Sequence, residues 1–119
     1  MRGLTILVVS ADADRFRAAL SLACAHAALG ERTRLYCHEL AVHLIVAGND
    51  PDDDALRASG LPTRAQLLDE ARESGIAIIA CQTGLAAARI AFDTLPAGVE
   101  AGGLVSLLTE LGDDRLVTI

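Results

Sequence analysis

The chain has no tryptophan, one tyrosine, two phenylalanines and no lysine, so apart from three histidines every basic side chain it carries is an arginine. Aromatics make up 3% of the residues and hydrophobic types 52%, so the core must be built from Ala, Leu, Val and Ile. A small domain buries limited area with such side chains, and other subunits are expected to cover part of the apolar surplus. No apolar stretch reaches the roughly 20 residues that span a bilayer. No cleavage-type pattern follows Met1–Gly3, so neither a membrane segment nor a signal peptide is expected. No basic run is present, and a net charge of −6 with a pI near 4.8 repels nucleic-acid backbones and anionic membranes. Neither is expected as a partner. The three cysteines are an odd number without metal-type spacing. That fits reduced thiols in a cytoplasm better than a disulfide framework.

The 119 residues, at mean hydropathy +0.40, fit one domain over 1–119. Leu4 to Val9 is a continuous apolar run that reads as a strand buried on both faces. Asp12 is placed to cap a helix whose stripe is Phe16, Ala19, Leu20, Ala23, Cys24 and Ala27, stopped by Gly30. Thr33 to His38 alternates in polarity and reads as a more exposed strand, at an edge of the sheet. Glu39 to Gly48 is apolar without a clear period, which makes it the candidate subunit contact. Asn49 to Asp54 reads as an acidic loop, the one place where disorder or a moving lid is expected. Thr63 and Gln66 form a capping-box pattern ahead of Leu67, Leu68 and Ala71. Ile76 to Cys81 is a second buried strand, with a helix over Thr83 to Phe92. A short strand near Val99 follows. Leu104, Leu107, Leu108 and Leu111 repeat at helical spacing, and Arg115 to Ile119 closes the chain as a strand. Alternating strands and helices imply an α/β fold with a mostly parallel sheet and helices on both faces.

In such sheets ligands bind along the rim formed by the carboxyl ends of the strands. That rim gathers Ser10 and Asp12, then Cys37, His38 and Glu39, then Cys81, Gln82 and Thr83. Cys81 is the strongest candidate. It sits where a buried strand turns into a helix, whose free N–H groups favour thiolate over thiol. The alternative, that Cys81 is only the last small apolar residue of a core strand, stays open. Cys24 lies on a helix stripe and reads as core. Cys37 is less defined. With a strand order 2-1-3, two steps of about 4.8 Å would hold it roughly 9–10 Å from Cys81, beyond disulfide reach. His38 is the better placed of the rim histidines, and His26 reads as solvent-facing. Cys37 and His38 are neighbours on a strand and point to opposite faces, so no metal site is expected. Gly102 and Gly103 could offer backbone N–H groups to an anion, a weak signal. No GxGxxG follows the first strand and no nucleophile elbow is present, so no cofactor is expected.

The stretch Leu67 to Leu85 (LLDEARESGIAIIACQTGL) resembles the DsrE/DsrF-like sulfur-relay family: a helix, a glycine, a buried strand ending in Ala-Cys, then a helix. The tail Gly98 to Ile119 (GVEAGGLVSLLTELGDDRLVTI) resembles that family's ending. The resemblance implies a three-layer α/β/α sandwich around a five-stranded, mostly parallel sheet with the last strand antiparallel. It implies trimers or hexamers, and a cysteine at the position of Cys81 that accepts sulfane sulfur and passes it on. Sulfur-donor and sulfur-acceptor proteins are then the partners. The expectation is a cytoplasmic persulfide carrier acting through Cys81, with Gln82, Thr83, Ser10, Cys37 and His38 as supporting rim residues. The alternative is a non-catalytic oligomeric adaptor or a small-ligand-binding subunit of the same fold.

Overall fold

A computed structural model describes all 119 residues. Five strands, β1 (Leu4–Val8), β2 (Thr33–Cys37), β3 (Ala77–Cys81), β4 (Glu100–Gly102) and β5 (Arg115–Thr118), form one sheet in the order β4-β3-β2-β1-β5. Every neighbouring pair is parallel. The helices are α1 (Ala13–Ala28), α2 (Asp53–Ala58), α3 (Arg64–Glu73), α4 (Gln82–Ala88) and α5 (Leu104–Thr109). Two 3-10 helices, Glu39–Ile45 and Phe92–Thr94, complete the elements.

The connections from β1 through β4 all advance the same way across the sheet. Right-handed crossovers therefore place α1, α3 and α4 on one face, and the long return from β4 to β5 places α5 on the other. The two faces are unequal. Ile6, Val8, Leu35, Cys37, Ile78 and Ala80 are buried on the first, together with Phe16, Leu20 and Ala23 of α1 and Leu67, Leu68 and Ala71 of α3. On the second, Leu7, Ala77 and Ile79 are only half-buried, because six residues of α5 cannot cover the sheet. The helix starts are those of the sequence: the Asp12 carboxylate accepts from the Arg15 N–H, and Thr63 and Gln66 close a capping box.

The structure corrects several expectations. The last strand is parallel, not antiparallel. Helix α5 leaves the carboxyl end of β4 and returns the chain to the amino end of the sheet. There the Arg115 N–H donates to the Gly3 carbonyl, so β5 can only run with β1. Strand β2 is central, not an edge, and all five of its residues are buried. Its alternating polarity misleads because Arg34 is buried in ionic company. The Arg34 Nε donates to Thr5 Oγ1 at 3.0 Å and lies 3.7 Å from Asp114 Oδ2, and its Nη2 donates to the Leu107 carbonyl at 3.1 Å. Because β2 adjoins β3, no strand separates Cys37 from Cys81. Facing keeps them apart instead: Cys37 is in register with Ala80, so Cys81 projects to the opposite face.

The segment Glu39–Ile45 spends its apolar residues inside its own molecule, with Ala41, Val42, Leu44 and Ile45 buried. Less of its apolar surface is therefore left for the subunit contact expected of it, with Leu40 remaining exposed. The acidic stretch is pinned, not a loose lid. Asp53 opens α2 and is itself buried, accepting from the Asp50 N–H at 2.9 Å. Asp50 holds Arg64 through both carboxylate oxygens, at 2.8 and 3.0 Å, and the Arg64 Nη1 donates to the carbonyls of Leu44 and Val46. His26 is half-buried, with Nδ1 at 2.8 Å from Thr33 Oγ1 and Nε2 at 3.2 Å from the Arg2 carbonyl. Of the leucine stripe on α5 only Leu107 is buried; Leu104 and Leu108 are exposed, as is Val105 at 81%.

Candidate functional site

Strand β3 ends at Cys81, and α4 begins at the next residue. Cys81 keeps extended backbone angles while its sulfur accepts a hydrogen bond from the Gly84 N–H at 3.3 Å. This is the N-cap geometry that Ser, Thr, Asp and Asn adopt, with sulfur in the place of oxygen. The Thr83 hydroxyl lies 3.2 Å from the same sulfur. Opposite them, the turn after β2 brings the Glu39 N–H to the sulfur. Glu39 holds a left-handed φ of 46°, which non-glycine residues rarely adopt. Gly84 permits the approach: a Cβ there would fall 2.7 Å from the Glu39 carbonyl oxygen and 2.8 Å from its Cα.

Burial, with Cys81 only 3% exposed, pushes its thiol up. Hydrogen bonds with the Thr83 hydroxyl and from the Gly84 amide, together with the nearby Tyr36 hydroxyl and Glu39 amide, act against this and prevail, drawing it down from 9.0 to about 6. At neutral pH the sulfur is then mainly thiolate, the nucleophilic form. Tyr36 shifts the other way. Its burial and its bond to Cys81 push its phenol well up, so it stays protonated and serves as a donor to the sulfur.

The sulfur opens on a cleft of about 210 Å³. Of the residues proposed from the sequence, Cys81, Gln82, Thr83, His38, Gly102 and Gly103 share its walls, joined by Tyr36, Leu104 and Val105. His38 stacks obliquely on Tyr36, with ring centroids 6.2 Å apart, and its Nε2 lies 3.2 Å from Glu39 Oε1. Two further hollows adjoin the cleft. One, of about 500 Å³, lies over Leu40, His43, Thr83 and Ala87. The other, of about 310 Å³, shares Gln82, Gly102 and Gly103 with the cleft and reaches Arg34.

Ser10 and Cys37 stand outside this constellation. The Ser10 hydroxyl oxygen accepts from the Asp12 N–H and serves the entry to α1. Cys37 is fully buried on the other face of the sheet, and desolvation pushes its thiol far above the ordinary range. Burial, then the carboxylate of Glu70, raises the Cys24 thiol as well. No group of three or more His, Cys, Asp or Glu side chains converges as metal ligands would. No helix is long and apolar enough to cross a membrane. Sequence reasoning placed Glu39 on the rim without foreseeing the part its amide plays, and it missed Tyr36 and Arg34. The signal available for Tyr36 was the period of two along Arg34, Tyr36 and His38, which puts all three on the face that Cys81 occupies.

No family model matches the chain, and no curated protein shows significant similarity to it. Solved structures do. The ychN protein from E. coli superposes with a TM-score of 0.72 at 23% identity, covering 100% of both chains. MTH1491 from Methanobacterium thermoautotrophicum, a protein of unknown function, gives 0.70 at 14% identity, again over 100% of both. BT1422 from Bacteroides thetaiotaomicron, a conserved protein of unknown function, gives 0.62 at 20% identity over 98% of this chain and 94% of its own. At these identities the likeness is one of fold, the compact parallel α/β architecture described above.

Proposed function

We propose that the protein is a DsrE/DsrF-like persulfide carrier in which the Cys81 thiolate accepts sulfane sulfur and hands it on. The observation that carries this reading is a sulfur that caps α4, with the Gly84 N–H at 3.3 Å and the Thr83 hydroxyl at 3.2 Å, its thiol drawn down to about 6 beside an open cleft. In the accepting step the Cys81 thiolate attacks the outer sulfur of a donor persulfide. A new S–S bond forms at Cys81 as the donor's S–S bond breaks, and the donor leaves as a thiolate. Donation is the same exchange toward an acceptor thiolate. No net oxidant or reductant is needed.

In the same reading the chain works in the cytoplasm as a homo-oligomer, trimer or hexamer, and meets sulfur-donor and sulfur-acceptor proteins. The exposed Leu104, Val105 and Leu108 of α5 are the surface best suited to a subunit or partner contact.

The low exposure of Cys81, 3%, favours a second reading in which the sulfur is an inert helix cap in an adaptor subunit. Mass spectrometry after incubation with a persulfide donor separates the two. Gain of one sulfur atom mapped to Cys81, and absent in Cys81→Ser, is the result expected of a carrier. A Cys81 that takes up no sulfur, and alkylates near neutral pH no faster than in the denatured chain, leaves the inert reading standing.

A further inference from the structure

Arg34 is the second residue of β2, the central strand of the sheet, with 5% exposure. A buried guanidinium is costly unless its charge and its donors are matched. The matching here is incomplete. Asp114 is the only carboxylate within salt-bridge distance of Arg34, and it also serves Arg32 at 3.4 Å and accepts from Thr5 Oγ1 at 3.0 Å. Two guanidiniums thus share one carboxylate. The Arg34 Nε and Nη2 are bonded to Thr5 and Leu107, whereas Nη1 makes no hydrogen bond within the protein. Arg34 forms part of the wall of the 310 Å³ hollow. Glu100 and Glu110, both exposed, stand at the same hollow. One buried cation and two exposed carboxylates are complementary to a group carrying both charges. A carboxylate is matched to the inner position and an ammonium to the outer.

This hollow shares Gln82, Gly102 and Gly103 with the cleft that holds Cys81. Arg34 is in register with Ala77, and Cys81 follows four residues along the same strand, so the two positions are about 13 Å apart along the sheet. Across a backbone separation of that size a small peptide thiol reaches further toward Cys81 than a single amino acid persulfide does. We propose, on the basis of the carrier reading above, that the hollow at Arg34, Glu100 and Glu110 seats the amino-acid zwitterion at one end of a small peptide persulfide of the γ-glutamyl-cysteinyl type and delivers its sulfur to Cys81. The thiolate of Cys81 attacks the terminal sulfur of that persulfide, the peptide leaves as its thiolate, and Cys81 keeps the transferred sulfur as its own persulfide.

The test uses S-methylglutathione, which carries the same zwitterion and cannot react, titrated into the full-length protein with amide chemical shifts as readout. Saturable shifts at Gly102, Gly103 and Ser106 are expected. Binding should weaken roughly tenfold or more when the glutamyl ammonium is acetylated, the scale of one charge-assisted hydrogen bond. Arg34→Gln should abolish it. Because that variant can fail to fold, the surface variant Glu100→Gln/Glu110→Gln, expected to weaken binding similarly, keeps the proposal exposed to failure. No saturable shift at millimolar concentration, or equal binding of the acetylated compound, overturns the proposal. A second arm follows sulfur gain on Cys81 from glutathione persulfide and from inorganic polysulfide. Sulfur gain from polysulfide without binding of S-methylglutathione overturns the hollow's assignment and leaves the carrier reading in place. Binding without sulfur gain from either donor overturns the transfer step and the carrier reading with it.

Discussion

Gly84 and Glu39 stand so close that a single added methyl group on the glycine would lie 2.7 Å from the glutamate's carbonyl oxygen. The contact joins the first turn of α4 to the turn that follows β2, and it lets backbone from both reach one sulfur. Acidity at Cys81 is therefore a property of two strand ends held in register, not of one helix start.

Gly84→Ala should force those turns apart. The Glu39 N–H would withdraw, the Cys81 thiol would titrate at higher pH, and alkylation at pH 7 would slow. Overpacking of this kind destabilises by about 1–3 kcal/mol. Iodoacetamide rates across pH, with urea unfolding as a companion measurement, check both effects. An unchanged pH profile would show that the Glu39 turn contributes nothing.

Tyr36→Phe and Thr83→Val each remove one hydroxyl donor from the sulfur. Each should raise the pH at which thiolate absorbance reaches its midpoint, expected at about 6 in the native protein. The rise expected per hydroxyl is about one pH unit, the equivalent of one hydrogen bond. His38→Gln, which alters the cleft wall without removing any of these donors, should leave the midpoint in place.

Stability should depend on pH through Cys81 with a definite sign. Its pKa is lowered in the folded state from 9.0 to about 6. The stabilisation from a lowered pKa is fully present above the unfolded value and is lost as pH falls through the folded one. Wild type should therefore lose stability relative to Cys81→Ser between pH 9 and pH 6, by an amount on the order of a few kcal/mol. Chemical denaturation at pH 6, 7.5 and 9 measures the difference. Parallel curves for the two proteins would contradict it.

Arg64→Met should loosen the segment between Leu44 and Asp53. Arg64 ties the carbonyls of Leu44 and Val46 to the Asp50 carboxylate, and its hydrogen bonds hold that carboxyl below its ordinary range. Breaking a buried ion pair by removing one partner typically costs about 3–5 kcal/mol. Hydrogen exchange at residues 47–50 should accelerate, and stability in the native protein should fall as acid protonates Asp50. Unaltered exchange would mean that the Glu39–Ile45 segment is held by its apolar contacts alone.

Local readings of the sequence were reliable where local chemistry decides. The apolar run at Leu4, the Asp12 cap, the capping box at Thr63 and Gln66, and the end of a buried strand at Cys81 all appear in the structure. These depend on neighbours a few residues apart. Polarity alternation failed for Thr33–Cys37, because the burial of Arg34 depends on Asp114, which lies far along the chain. The acidic stretch failed likewise, since Arg64 holds it from another element.

From sequence alone came the α/β class and the choice of Cys81 as the residue to watch, both products of short-range pattern. Strand order, the parallel direction of β5, and the company of the sulfur were decided only by the tertiary structure. Tyr36, Glu39 and Gly84 reach one atom because β2 lies directly beside β3, and hydrogen bonding between strands is blind to separation along the chain. The sequence marked the thiol, and the packing of distant backbone around it set its acidity.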